Sequence, residues 1–283
     1  MHIKDSILGY IIGDTLGLNT KYDSFDNLFS SNSSFVLATI DSILYCNKID
    51  YQDICRKYLD IINFSKYTAN NEILDLGNTT LKAIMKFNEY NYLTCGDLSI
   101  YSNGNGALAR ILPIALFMKS KKDSELKNEI ITFTGLTHKH EISLLGCYIM
   151  SKYIQFITEG KSKETSFKLI KELNYETFSE ETLTCYKKIF NNEFLLNKPT
   201  STGYIVDTIE CILYIILTSN SFQKTLENAI RLGGDVNTNA SLACAIACLI
   251  YNVNTSEYKI AKSKSINKIS ILFEELIEQK HFK

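Results

Sequence analysis

Asp235, Asn237 and Thr238 stand close together in "RLGGDVNTNASLACAIACLIY", residues 231–251, after a Gly-Gly pair and ahead of a run of small apolar residues. Oxygen-bearing side chains at such a junction can do three kinds of work. They can cap the free N–H groups that open a helix. They can line a helix N-terminus whose unpaired N–H groups and partial positive charge favour an anion, phosphate above all. They can also hold a hard cation such as Mg²⁺, which takes oxygen ligands. The amide of Asn237 in the middle of the set is unexpected for the last of these, because a neutral ligand does little to offset a divalent charge.

Four other junctions have the same form: "GDTLGLNTKYD" at 13–23, "SSNSSF" at 30–35, "YSNGNGALARILPIAL" at 101–116 and "STGYIVDTIE" at 201–210. Glycines beside a helix start let a ligand approach the backbone closely. Taken singly, each junction is equally an ordinary cap or tight turn. Taken together, several converging helix starts would make a cradle for a diphosphate, or for a hard cation where side-chain oxygens meet. The Gly-x-Gly of "SNGNGA" has no strand before it, which argues against a dinucleotide-binding fold.

The elements that must position these junctions are helices. Apolar residues recur at helical spacing over 4–16, 33–47, 51–63, 78–90, 106–119, 123–135, 140–158, 163–173, 179–191, 203–218, 221–231, 238–251 and 264–280. Ser31, Asn32 and Ser33 read as N-cap residues of the second segment. No alternating run bounded by hairpin turns is present, so strands should be scarce. The expectation is an all-α fold, a single-domain orthogonal helical bundle over residues 1–283, with 159–200 as a more polar excursion from the core. Pro113 and Pro199 are the only prolines of the chain, which leaves room for long helices.

Composition narrows the function class. The 283 residues carry a formal net charge of −1 and are 45% hydrophobic, with acids and bases interspersed, so neither a nucleic-acid footprint nor a membrane-surface bias shows. The N-terminal stretch is apolar but broken by Asp14 and lacks a small-residue cleavage site, and no apolar run reaches about 18 residues. A cytoplasmic protein with no membrane or nucleic-acid partner is expected. The eight cysteines form no C-x-x-C pair and read as reduced core thiols. Cys244 and Cys248 share a helix face, but no nearby His or Cys completes a metal site.

The order and wording of these motifs resemble the ADP-ribosylglycohydrolase family over nearly the whole chain. "STGYIVDTIECILYIILTSNSFQKTLENAIRLGGDVNTNASLACAIACL" is similar to that family's "SSGYVVDTLEAAL…F…A…LGGDTDTIAAIAGALAG". "SNGNGALARILPIAL" resembles its "S.GNGA.MR..PL.L", and "LTHKHEISLLG" at 136–146 resembles its "LTH" segment before a long helix. The resemblance implies an all-α bundle with two Mg²⁺ ions in a central cleft. They would be held by "T-D-D-T" near the N-terminus and "G-G-D-T-D-T" near the C-terminus, with a catalytic glutamate shortly after "GDALG". Such a pair can orient sugar hydroxyls, activate water and offset charge as a glycosidic bond breaks.

Carried over position by position, most of that chemistry is replaced. The glutamate falls on Lys21. "T-D-D-T" falls on Ser31, Asn32, Ser33 and Ser34. "G-G-D-T-D-T" falls on Gly233, Gly234, Asp235, Val236, Asn237 and Thr238, so Asp235 alone of five carboxylates survives. A lysine about 4 Å from a cation opposes it by about 4 kcal/mol per unit charge at an effective dielectric near 20, and can stand in as a fixed cation. The resemblance further implies ligand contacts at Gly104, Asn105 and Gly106, at Ser201, Thr202, Gly203 and Tyr204, and at His138. It leaves His140 as a surface residue, Asp14 as structural and Asp207 as a cap or buttress. Arg110 would pair with Asp14 in preference to a phosphate.

The leading expectation is therefore a family-like protein without a resident metal. It would bind ADP-ribose or an ADP-ribosylated partner with little or no hydrolysis, through Gly104, Asn105, Gly106, His138, Ser201, Thr202, Gly203 and Tyr204, while Ser31, Asn32, Ser33, Asp235, Asn237 and Thr238 keep the family's metal positions without the metal. A working hydrolase with a remodelled site, retaining Mg²⁺ on Asp235 and neutral ligands, is the second expectation. An immunity or regulatory protein that obstructs an ADP-ribosyltransferase is the third.

Overall fold

The computed structural model describes residues 3–20, 28–91, 93 and 95–281. In chain order its α-helices are α1 (Ile3–Asn19), α2 (Ser31–Cys46), α3 (Tyr51–Phe64), α4 (Asn78–Tyr90), α5 (Gly106–Ala109), α6 (Leu112–Phe117), α7 (Asp123–Gly135), α8 (Glu141–Thr158), α9 (Lys163–Lys171), α10 (Glu180–Cys185), α11 (Lys187–Phe190), α12 (Ile205–Leu217), α13 (Phe222–Leu232), α14 (Val236–Tyr251) and α15 (Lys264–His281). The fold is all-α. Its extended pairings among the described residues are two isolated bridges, Asp97 with His138 and Gly104 with Tyr204. No described helix is long and apolar enough to cross a membrane.

The helices follow the periodicity of the sequence, with two breaks. The segment 106–119 divides into α5 and α6 because Pro113, in the first turn of α6, has no N–H to continue the ladder of α5. The segment 179–191 divides at Tyr186. Its fully buried ring is drawn into the core, where its hydroxyl donates to the Ile142 carbonyl at 2.6 Å. Helix α2 begins earlier than its pattern suggests. The N-cap is Ser30, whose Oγ accepts from Asn32 N at 3.1 Å, so Ser31, Asn32 and Ser33 belong to the first turn rather than to the cap.

Helices α1, α8 and α14 are buried round most of their circumference, as helices at the centre of a core must be. Each fully buried Ile or Leu of this core contributes about 1.5–3 kcal/mol by removal from water. The region 159–200 adds buried Phe167, Ile170, Tyr186, Ile189 and Phe194 to the same core, so it is packed rather than peripheral.

One contact sets the site. Gly9, Gly13 and Gly17 recur every four residues along α1 and lie directly against α14. A Cβ on Gly13 would stand 2.3 Å from the Ala240 carbonyl oxygen, and one on Gly17 would stand 2.5 Å from Asn237 Cα. Only a side-chain-free ridge allows the two backbones this close, and the approach brings Asp14 of α1 beside Asn237 of α14.

Candidate functional site: a polar cleft at converging helix starts

Asp14 lies behind the cavity lining. It is fully buried, and four donors of the α2 start surround it: Ser30 N at 3.0 Å, Ser30 Oγ at 2.7 Å, Ser33 N at 3.2 Å and Ser33 Oγ at 2.6 Å. Burial pushes its carboxyl pKa up, and the hydrogen bonds from the two serines oppose that rise. Arg110 does not pair with it. That guanidinium instead donates to the Gly106 carbonyl at 2.8 Å and to Thr137 Oγ1, which corrects the expected Arg110–Asp14 contact. The reason is local. Arg110 follows α5 directly and folds back over that helix's own first carbonyl, between the rings of Tyr58 and Phe133.

Asn237 explains itself here. Its Nδ2 lies 3.4 Å from Asp14 Oδ1, 3.4 Å from Ser30 Oγ and 3.0 Å from Asp75 Oδ2. Two carboxylates face one side-chain tip, so the nitrogen end of the amide must point at them. An aspartate in this place would make a third acid. Asp75 was not among the sequence candidates. It sits at φ +57° in the segment before α4, held by Ser31, whose N–H donates to the Leu74 carbonyl at 2.7 Å and whose Oγ donates to the Asp75 carbonyl at 2.9 Å. The signal available in the sequence was "LGNTT", a glycine and three capping-type residues before an apolar helical run, the same form as the other junctions.

The opposite wall is the clasp. Asn105 N donates to the Gly203 carbonyl at 2.9 Å and Ile205 N donates to the Asn103 carbonyl at 3.0 Å, which ties the two glycine-bearing loops together. Asn105 Nδ2 then reaches Asp235 Oδ2 at 2.7 Å and Thr208 Oγ1 at 2.9 Å. Ser201 Oγ accepts from Asp235 N at 3.0 Å and from Asn239 Nδ2 at 2.8 Å. Gly234, at φ +68°, passes so close that a Cβ would stand 2.0 Å from the Ser201 carbonyl oxygen. Asp235 precedes α14 as its N-cap residue but makes no capping hydrogen bond, because its carboxylate is turned to the clasp.

Between these walls lies a cavity of about 370 Å³, lined by Asn32, Asp75, Thr80, Asn105, His138 and Asp235 together with the glycines of the clasp and the first turn of α4. That size is within the range of small-ligand pockets. Gly77 is the N-cap of helix α4 and brings no side-chain cap, and Gly77, Asn78, Thr79 and Thr80 of this helix start line the cavity. His138 is buried and neutral. Burial first, and then the Arg110 charge, bring its pKa down to about 3.

Most of the expected site residues divide into two groups, with Thr202 and Tyr204 apart from both. Asn32, Gly104, Asn105, Gly106, His138, Gly203, Asp235 and Thr238 line the cavity. Ser31, Ser33, Ser201 and Asn237 stand behind it and hold the lining in place. Thr202 accepts from Tyr204 N at 3.0 Å and donates to Asp207 at 2.6 Å, so Asp207 is the expected buttress. Tyr204 is the residue before α12 and lies outside the cavity lining. His140 is not a bare surface residue. It caps α8, accepting from Ile142 N at 3.3 Å, and its ring nitrogen lies 3.1 Å from Asn103 Nδ2. Lys21 lies outside the described residues.

The donor set does not suit a pair of Mg²⁺ ions. Among the described residues no three His, Cys, Asp or Glu side chains converge to hold a metal. The acids present are met by amide hydrogens, Asp235 by Asn105 and Asp14 and Asp75 by Asn237. Asn32, which occupies an aspartate position of the resembled motif, turns its own Nδ2 to Thr238 Oγ1 at 3.1 Å. Among the described residues two neutral oxygens beside the cleft, Asn237 Oδ1 and Asn239 Oδ1, are buried without a hydrogen-bond partner.

Comparison with known proteins adds ancestry to this geometry. The model of the ADP-ribosylglycohydrolase family matches residues 2–255. "ADP-ribosylarginine hydrolase Tri1" of Pseudomonas putida (strain GB-1) is 22% identical over 94% of this chain and 76% of its own length. "ADP-ribosyl-[dinitrogen reductase] glycohydrolase" of Rhodospirillum rubrum is 24% identical over 80% of this chain and 69% of its own. A solved structure described as an "ADP-ribosylglycohydrolase-related protein complex" superposes with a TM-score of 0.79 at 17% identity, covering 97% of each chain, and shows that the fold is shared.

Proposed function

The chain belongs to the ADP-ribosylglycohydrolase family, and from that premise we propose that it binds ADP-ribose, or the ADP-ribosyl group of a modified protein, with little or no hydrolysis. The observation that carries this reading is Asn237. Its amide nitrogen faces Asp14 and Asp75 at a position where the resembled motif has a metal-holding aspartate. The clasp, the uncapped start of α4 and the neutral His138 offer N–H donors to an anionic, oxygen-rich ligand. Among the described residues each of the three acids, Asp14, Asp75 and Asp235, accepts a hydrogen bond from an amide, an arrangement that favours binding over metal-assisted hydrolysis.

A second reading, a working hydrolase of an ADP-ribosyl bond with a remodelled site, is favoured by Asp75 and Asp235, two carboxylates on the cleft wall. Calorimetric titration with ADP-ribose, in chelator and in Mg²⁺, separates the two. Equal affinity in both buffers, with no ADP-ribose released from ADP-ribosylated peptides, supports the binding reading. Strong enhancement by Mg²⁺, or turnover, overturns it.

A further inference from the structure

Arg110 is the largest fully buried side chain of the core, yet every described partner of its guanidinium is neutral: the Gly106 carbonyl, Thr137 Oγ1 and the faces of Tyr58 and Phe133 at 5.7 and 5.3 Å. A buried cation without an acid is expensive to keep, and this one does not line the central cavity. Its Nη2 donates to Thr137 Oγ1. The Thr137 hydroxyl therefore acts as acceptor on that side and has one proton to give. Its other polar neighbour is His138 Nδ1, at 2.7 Å.

We infer that Arg110 and Thr137 are positioning residues that lock His138 as a neutral ring carrying its proton on Nε2, aimed into the cleft as a donor to an oxygen of the bound ligand. If Thr137 donates to Nδ1, that nitrogen is an acceptor, and a neutral imidazole must then carry its proton on the other nitrogen. Nε2 lies toward the clasp, 3.8 Å from where a Cβ of Gly104 would stand and 3.6 Å from that of Gly106. The three groups point the same way, so each hydrogen bond polarises the next and strengthens the Nε2–H as a donor. The backbone fixes the ring's place. Asp97 N donates to the Thr137 carbonyl at 3.2 Å, and Lys139 N donates to the Asp97 carbonyl at 2.9 Å, so the histidine is pinned on both sides. The nearby Arg110 charge opposes formation of imidazolium, in keeping with the direction of the His138 pKa. The consequence is selectivity. This position accepts a phosphate, carbonyl or hydroxyl oxygen as hydrogen-bond acceptor, and His138 is not available as a base.

The inference rests on the ligand-binding reading for its second half only, and the test separates the halves. The tautomer is read from ¹⁵N shifts of histidine-labelled full-length protein at pH 7, with the His138 signal assigned by its loss in His138→Gln. A single Nε2–H tautomer is expected without ligand, with Thr137→Val abolishing it and Thr137→Ser retaining it. A predominant Nδ1–H form, an even mixture or imidazolium in the wild type overturns the relay whatever the titration shows. With ADP-ribose as probe, Thr137→Val should weaken binding by about tenfold while Thr137→Ser stays within about twofold. Equal affinity in all three overturns the positioning role. An Nε2–H tautomer in a protein that fails to bind ADP-ribose upholds the relay and overturns the ligand reading instead.

Discussion

Replacing Asn237 with aspartate would change one atom of the cleft and reverse its electrostatics. The amide nitrogen now lies 3.0 Å from Asp75 Oδ2 and 3.4 Å from Asp14 Oδ1. A carboxylate oxygen there would face two acids, and at an effective dielectric near 20 each pair at about 3–3.5 Å repels by about 5 kcal/mol. The protein can escape the full penalty by keeping the new acid protonated. At pH 7 that costs about 1.4 kcal/mol for each of the roughly three units above the ordinary aspartate pKa, or about 4 kcal/mol. The expected loss of stability is therefore about 2–4 kcal/mol, read by urea denaturation. Its pH dependence has a definite sign. The new acid has its folded-state pKa raised, so the folded state holds more protons than the unfolded one above pH 4, and stability falls as pH rises. The variant should approach wild type near pH 4 and diverge toward pH 7. Added Mg²⁺ should recover part of the loss by binding the folded state alone. Equal stability of the two proteins from pH 4 to 7, in chelator, would refute the placement of Asn237 between the acids.

Gly13→Ala forces a Cβ to within 2.3 Å of the Ala240 carbonyl oxygen, which is backbone and cannot turn aside. A loss of about 3 kcal/mol or more in denaturant midpoint experiments is expected, beyond the usual 1–3 kcal/mol of overpacking. His138 supplies a pH test of opposite sign. Its folded-state pKa is lowered to about 3, from about 6.5 in the unfolded chain, so the unfolded state binds the extra proton first. Stability is present above pH 6.5 and is lost as pH falls toward 3, by up to about 5 kcal/mol. His138→Gln should flatten that acid limb relative to wild type; parallel curves would show that the histidine is not buried neutral.

The fold was legible because helical periodicity is written in every long segment, and of the two splits one has a local cause and one a tertiary cause. Pro113 was visible and could have been used to place the first. Tyr186 breaks the second through a tertiary contact with the Ile142 carbonyl that no local pattern announces. The clasp and the α14 start were legible for a different reason. Glycines and capping residues at helix starts are conspicuous, and a family resemblance ordered them. The roles within the cleft were harder to read. Asn237 looked like a weakened ligand, whereas its neighbours make it a bridge between carboxylates. One of them, Asp75, comes from a segment far off in sequence and carried no mark of its own. Arg110 looked like a partner for Asp14, because both are charged and adjacent to glycine motifs. Its true partners, a carbonyl and a hydroxyl, depend on how α5 and the 137–139 segment meet.

The central claim is that amide hydrogens have taken the place of cations in this cleft. Equilibrium dialysis of the purified chain against millimolar Mg²⁺ or Mn²⁺, followed by elemental analysis, tests it most directly. The account predicts well under one bound ion per chain, unchanged by ADP-ribose. Two ions per chain, lost on Asp235→Ala, would contradict it.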